Sequence, residues 1–170
     1  MVKEKREKGT DLFFRLIRRT ANQENKPVPF FPNDTILECR VRSFYIEGDL
    51  VCSCLVFFFN FLKCSWVSIT IEEGVVEYVL LDSEPKLESL DEIDDDFAYP
   101  VTCCDWLGSF LGEEIIGLYE YRLKKSEDLC VGLYFEFKGG GFSILEEDSC
   151  LSVVDGVSKA LMESASLLRI

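Results

Sequence analysis

The stretch Leu55-Val56-Phe57-Phe58-Phe59-Asn60-Phe61-Leu62 restricts the architecture more than any other. It is too short to cross a bilayer as a helix, which takes about 20 residues. The run over residues 50–59 is apolar on both faces towards its end, and that pattern reads as a central strand covered on both sides. Its surroundings read as strands too. Residues 36–44 alternate, with Leu37, Cys39 and Val41 expected inward and Glu38, Arg40 and Arg42 outward. Glu47-Gly48-Asp49 is a turn signal, and residues 64–71 and 75–81 form two further runs joined across Glu72-Glu73-Gly74. Four strands in a meander are the economical reading.

A second set of β-runs begins near Glu113. Glu114, Ile116, Leu118, Glu120 and Arg122 alternate with Ile115, Gly117, Tyr119, Tyr121 and Leu123. After Lys125-Ser126-Glu127-Asp128, the side chains Leu129, Val131, Leu133, Phe135 and Phe137 share a face. Lys138-Gly139-Gly140-Gly141 turns the chain into residues 142–145, and residues 151–154 add a last run. Helices are expected at both ends. Thr10 caps a segment over residues 11–21 with Leu12, Phe13, Leu16 and Ile17 on one side and Arg15, Arg18 and Arg19 opposite. Val157, Ala160, Leu161, Ala165 and Leu168 make an apolar stripe over residues 157–168.

The expected fold class is therefore α+β: a mostly antiparallel sheet of about seven to eight strands in two meanders, with an N-terminal and a C-terminal helix packed on it. Residues 1–9 read as a flexible charged tail and residues 10–170 as a single domain, the size at which one core suffices. The two meanders raise the idea of a duplication, but no residue-level repeat supports it.

Charge narrows the function. The chain carries 31 acidic and 18 basic residues, net −13, and no histidine. Residues 1–26 are net +4 and the remainder net −17. Residues 72–96 hold eleven carboxylates against one cation, Lys86. Strong acidity argues against a nucleic-acid binder, which neutralises phosphates with Lys and Arg. The missing histidine removes Ser-His and Cys-His nucleophile pairs and every His-ligated metal site. Neither a signal peptide nor a membrane span is legible, and the expected compartment is the cytoplasm, where thiols stay reduced.

Residues 82–99 differ in kind from the strands. They are acidic, contain Pro85 and show no sustained apolar period, so they read as a long loop of the sort that is usually functional or disordered. Glu88, Asp91, Glu92, Asp94, Asp95 and Asp96 are its candidate partner-binding residues. Asp91-Glu92-Ile93-Asp94-Asp95-Asp96 lacks the spaced ligands of an EF-hand, which leaves a solvated face or a docking surface ahead of a metal site. Cys52-Ser53-Cys54 and Cys103-Cys104 lack structural-zinc spacing and read as buried reduced thiols. Gly139-Gly140-Gly141 leads into a strand rather than a helix, and is a hairpin turn rather than a phosphate loop. Residues 102–110 suggest a short helical turn with Trp106, Leu107 and Phe110 as its apolar face. Aromatics on the second face of residues 50–59 are either core or an exposed patch.

The second half resembles a family of small, acidic, uncharacterised bacterial proteins. The resemblance rests on Leu111-Gly112-Glu113-Glu114-Ile115, Asp128, Leu129, Leu133 and Phe137, Gly140 and Ser149, mainly within residues 105–155, with Trp66 in the earlier meander. Ser126-Glu127 departs from the pattern, which has a Gly-aromatic pair there. In size, charge and element order the chain also resembles immunity proteins of bacterial toxin systems. These resemblances imply a binding role and carry over no catalytic residue. The expectation is thus a cytoplasmic, non-enzymatic, immunity-type protein, without cofactor or metal, that occludes a basic toxin, with a nuclease as the natural class. Contact with nucleic acid or membrane is not expected. The alternatives are an acidic inhibitor that mimics DNA, and a carboxylate-based, metal-dependent enzyme.

Overall fold

The computed structural model describes residues 33–170. The charged tail at residues 1–9 and the helix expected over 11–21 lie outside them. Among the described residues eleven strands form two antiparallel sheets. The first sheet is a meander of β1 (Ile36–Ile46), β2 (Asp49–Phe61), β3 (Ser65–Glu72) and β4 (Val75–Leu80), in the order β4-β3-β2-β1. Two short strands, β5 (Phe97–Ala98) and β6 (Val101–Cys103), pair with the free edge of β1. The second sheet contains β7 (Ile115–Leu123), β8 (Ser126–Phe137), β9 (Gly140–Glu147) and β10 (Cys150–Asp155). Its β7 edge is closed by β11 (Ala165–Arg169).

The α+β expectation is corrected by this arrangement. Among the described residues no long helix packs on the sheets, only the 3-10 turn Asp105–Phe110 through Leu107 and Phe110; the molecule is two β-sheets sharing one core. The C-terminal segment shows why. Only Leu161–Ser164 is helical (α1), and the chain then extends as β11, pairing Ala165 with Leu123 through to Arg169 with Tyr119. An apolar stripe at helical spacing cannot satisfy the open backbone of β7, whereas five more residues of ladder can. Ala165 is fully buried by that choice. The ladder outweighs the weak local helix preference of a segment whose helical turn has no side-chain cap.

The apolar run behaves as its two-sided pattern demands. Phe57 and Phe59 point into the shared core, where Phe59 meets Phe135 at 5.6 Å between ring centres and Phe142 at 6.5 Å. Ile69, Leu133, Phe135, Phe142 and Ile144 complete this layer, all fully buried. Val56 and Phe58 face the other way and are equally covered, together with Phe44, Cys52, Trp66 and Val101. That second face is not an exposed patch. Leu81 and Tyr99, near the two ends of the acidic loop, pack on it.

Tight turns set the registers. Glu47-Gly48, Glu73-Gly74 and Asp148-Ser149 each place two successive residues at positive φ, the conformation whose twist suits a two-residue hairpin. Gly74 has a second duty. Its carbonyl accepts from the Cys130 amide at 2.7 Å, and an added Cβ would lie 2.6 Å from a Leu129 methyl, so this turn seats directly on β8.

One inward assignment in β1 also changes. Leu37 is 46% exposed and Arg40 only 5% exposed. A register shift between Ile36 and Glu38 is responsible: the extra residue of such a bulge leaves the alternation, and Leu37 is that residue. Cys39 and Val41 do point inward. The cysteines depart from an all-reduced set. Cys52 and Cys150 form a disulfide joining β2 to β10, with Cα atoms 5.7 Å apart, while the other six are free.

Candidate functional site

The acidic loop is a strap held flat against the outer face of the first sheet. Its entry is fixed by the Leu81 amide, which donates to the Trp66 carbonyl at 2.9 Å. Arg40 then clamps it. The guanidinium lies 4.6 Å from the Trp66 ring centre, pairs with Glu38 at 2.7 Å and with Glu84, and donates to the Pro85 carbonyl. Glu88 and Val101 exchange backbone hydrogen bonds of 3.0 and 2.9 Å, which tie the two arms of the strap together. Between them, a short 3-10 turn (Leu90–Glu92) is capped by Ser89, whose amide and hydroxyl both donate to the Glu92 carboxylate at 2.7 and 2.9 Å. These bonds favour the ionised carboxylate, so the Glu92 acid is stronger than an ordinary glutamate.

The far arm is held as firmly. The Glu47 amide donates to the Asp96 carbonyl at 2.7 Å, and the Ser43 amide to the Pro100 carbonyl at 3.1 Å. Tyr99 stacks on Phe44 at 4.8 Å, with Phe97 on the same ring at 6.5 Å. Such anchoring gives an acidic segment of low apolar content a defined shape, because several of its backbone groups are paired and its two aromatics stack on Phe44.

All six candidate carboxylates lie on this strap. Asp91, Glu92, Asp94, Asp95 and Asp96 are exposed, while Glu88 is half-buried with Lys86 3.8 Å away. Asp95 accepts from the Phe97 amide at 3.0 Å. Among the described residues no cation pairs with Asp91, Asp94 or Asp96. The structure thus brings the six together on one restrained segment. A fixed row of carboxylates with few internal counter-charges attracts cations and steers basic surfaces.

Beneath the strap lies the feature that sequence reading missed. Arg42 sits over the Phe58 ring at 5.1 Å, and among the described residues its Nε has no hydrogen-bond partner. Burial weakens its hold on the proton, and the nearby Glu88 carboxylate opposes that effect. Arg40 and Arg42 together are the basic floor on which the acidic strap rests. Two arginines spaced by one residue in a strand, with a long acidic loop elsewhere, are the only sequence signal for such a clamp.

Other candidates reduce to structure. Cys39 and Cys104 lie together in the core, where the Cys39 thiol donates to the Arg40 carbonyl at 3.8 Å; burial raises the Cys39 thiol, and the neighbouring Cys39 thiol lowers Cys104. Burial also lifts Cys130 to about 11. The carboxylates of Glu38, Asp105 and Glu120 near Cys39, Cys104 and Cys130 disfavour the thiolate that a cysteine nucleophile requires. Gly139 and Gly140 lie at the β8–β9 hairpin. Among the described residues no group of three or more His, Cys, Asp or Glu side chains is arranged to hold a metal ion, and no helix is long and apolar enough to cross a membrane.

Comparison with known proteins gives no relative to lean on. No protein-family model, curated protein or solved structure matches the chain.

Proposed function

We propose that this chain is an immunity-type binding protein which neutralises a basic toxin by covering its active or substrate-binding surface. The observation that carries the reading is the strap. Six carboxylates are fixed on one surface segment by Arg40, by the Glu88–Val101 bridge and by the Phe44 stack. A nuclease is the fitting class of target, because it must present Lys and Arg to phosphate, and carboxylates held at a surface engage those same groups. The strap loses little conformational freedom on binding, which lowers the cost of association. Binding requires no chemical step, so the protein acts as an inhibitor rather than an enzyme, and occlusion is the whole mechanism.

The proposed compartment is the cytoplasm, where a toxin of this kind meets its target. There the Cys52–Cys150 bond would be open to reduction. The test is to convert Glu88, Glu92, Asp91, Asp94, Asp95 and Asp96 to their amides and follow association with the partner against ionic strength. Association slowed several-fold at low salt, with a flattened salt dependence, supports the reading. Unchanged kinetics would remove the strap from it.

A further inference from the structure

A cleft of about 660 Å³ opens between the edge strand β10 and the 3-10 turn Asp105–Phe110. Its floor is core: Leu107, Phe142 and Leu151 are almost fully buried. On β10, Leu151, Val153 and Asp155 alternate along the face that lines it, so an apolar row ends in a carboxylate. Trp106 forms the opposite rim and is 53% exposed, although the sequence reading expected it to be covered with its neighbours in the turn. A second hollow of about 230 Å³ adjoins the first, shares Trp106 and Ser53, and adds Tyr45 and Asp105.

Among the described residues no lysine or arginine lines either hollow. The chemistry offered is therefore one-sided: a hydrophobic floor, the electron-rich face of an indole, several serine hydroxyls, and carboxylates at the ends. An anion would meet only repulsion there, and a purely apolar ligand would leave Asp155 unused. A cation on an apolar body matches each part, since the ring and the carboxylate both stabilise positive charge while the body covers Leu107 and Val153. The volume suits a small molecule.

We propose that this cleft is a binding site for a small organic cation, an ammonium carried on an aromatic or aliphatic body. Asp155 is its counter-charge, Trp106 its wall, and Leu107, Phe142 and Leu151 its apolar floor. None of the six strap carboxylates lines the site, which stands without them.

The experiment is an NMR titration of the full chain, followed at the Trp106 indole N–H, with 2-phenylethylammonium, its neutral counterpart 2-phenylethanol and the anion 3-phenylpropanoate. The ammonium should bind saturably with a dissociation constant of roughly 1 mM, as befits a fragment of that size. Asp155→Asn should weaken the ammonium about five-fold or more and leave the alcohol unchanged, and Trp106→Ala should weaken both. Asp155 and Trp106 are exposed, so both variants keep the core intact. Saturation by none of the probes, equal affinity for all three, or an ammonium affinity insensitive to Asp155→Asn would overturn the proposal.

Discussion

Replacing Arg40 by methionine isolates the clamp on which the strap depends. Arg40 is 5% exposed, and its guanidinium satisfies the Pro85 carbonyl, pairs with two carboxylates and stacks on Trp66. The bond to the Pro85 carbonyl is charge-assisted, and losing it costs about 1.5–3 kcal/mol. Glu38 and Glu84 are 38% and 62% exposed, so solvent screens both pairs and each contributes about 0.5 kcal/mol. The cation–π contact adds about 1 kcal/mol. Methionine keeps the apolar stem and removes a buried charge, which returns part of this sum. A net loss of about 3 kcal/mol is expected, equivalent to roughly 6–12 °C in melting temperature for a chain of this length. Urea unfolding gives the energy, and amide exchange at Glu88 and Val101 shows where it is lost, since both amides belong to the bridge beside the clamp. The expected result is faster exchange at those two positions, with the core strands β2 and β8 still protected. A loss below about 1 kcal/mol together with unchanged exchange at the bridge would refute the argument that Arg40 holds the strap.

Three further outcomes follow from other parts of the structure. The Tyr121 hydroxyl is fully buried, meets Ser143 Oγ at 2.7 Å and accepts from the Ser158 amide at 2.8 Å; Tyr121→Phe should therefore cost about 1–3 kcal/mol in urea unfolding, and a neutral result would discount the network that pins the C-terminal segment. The Cys52–Cys150 bond spans 98 positions, a separation for which chain entropy sets a ceiling of about 4.7 kcal/mol, so dithiothreitol alone should lower the urea midpoint, whereas Cys52→Ala should be insensitive to it; a wild-type midpoint indifferent to reductant would contradict the cross-link. Because the Ser89 bonds lower the folded-state pKa of Glu92, the stabilisation they give is complete above the ordinary glutamate range and is lost as pH falls through the lower folded value; carboxyl NMR should show Glu92 titrating below the ordinary glutamate range, and titration within or above that range would disprove the cap.

The strands were legible because their information is local. Alternation and turn residues place β1 to β4 and β7 to β10 within a few residues of where they stand, and the two-faced run at Phe57 to Phe59 requires the cover it receives. Three other features were not legible, each for a non-local reason. Segment Ala165–Arg169 has helical spacing, but the open edge of β7 decides its state. Leu37 leaves its expected face because a bulge breaks the count, and period-two reasoning has no means of seeing an inserted residue. Cys52 and Cys150 meet only once two sheets pack, and nothing in Cys52-Ser53-Cys54 announces a partner on β10. The candidate site divides the same way. The acidic segment stands out by composition, whereas its rigidity comes from Arg40, Phe44 and Val101 across the fold.

The most direct test of the central claim is a paired capture from the native host's lysate, using the wild-type chain and the variant with all six strap carboxylates converted to amides. Each is washed at low and at high salt, and what remains is identified and quantified by mass spectrometry. The account predicts one basic protein held in stoichiometric amount by the wild type and lost from the variant, with an activity on nucleic acid that the wild-type chain suppresses. The same proteins retained equally by both chains, or none retained by either, would contradict it.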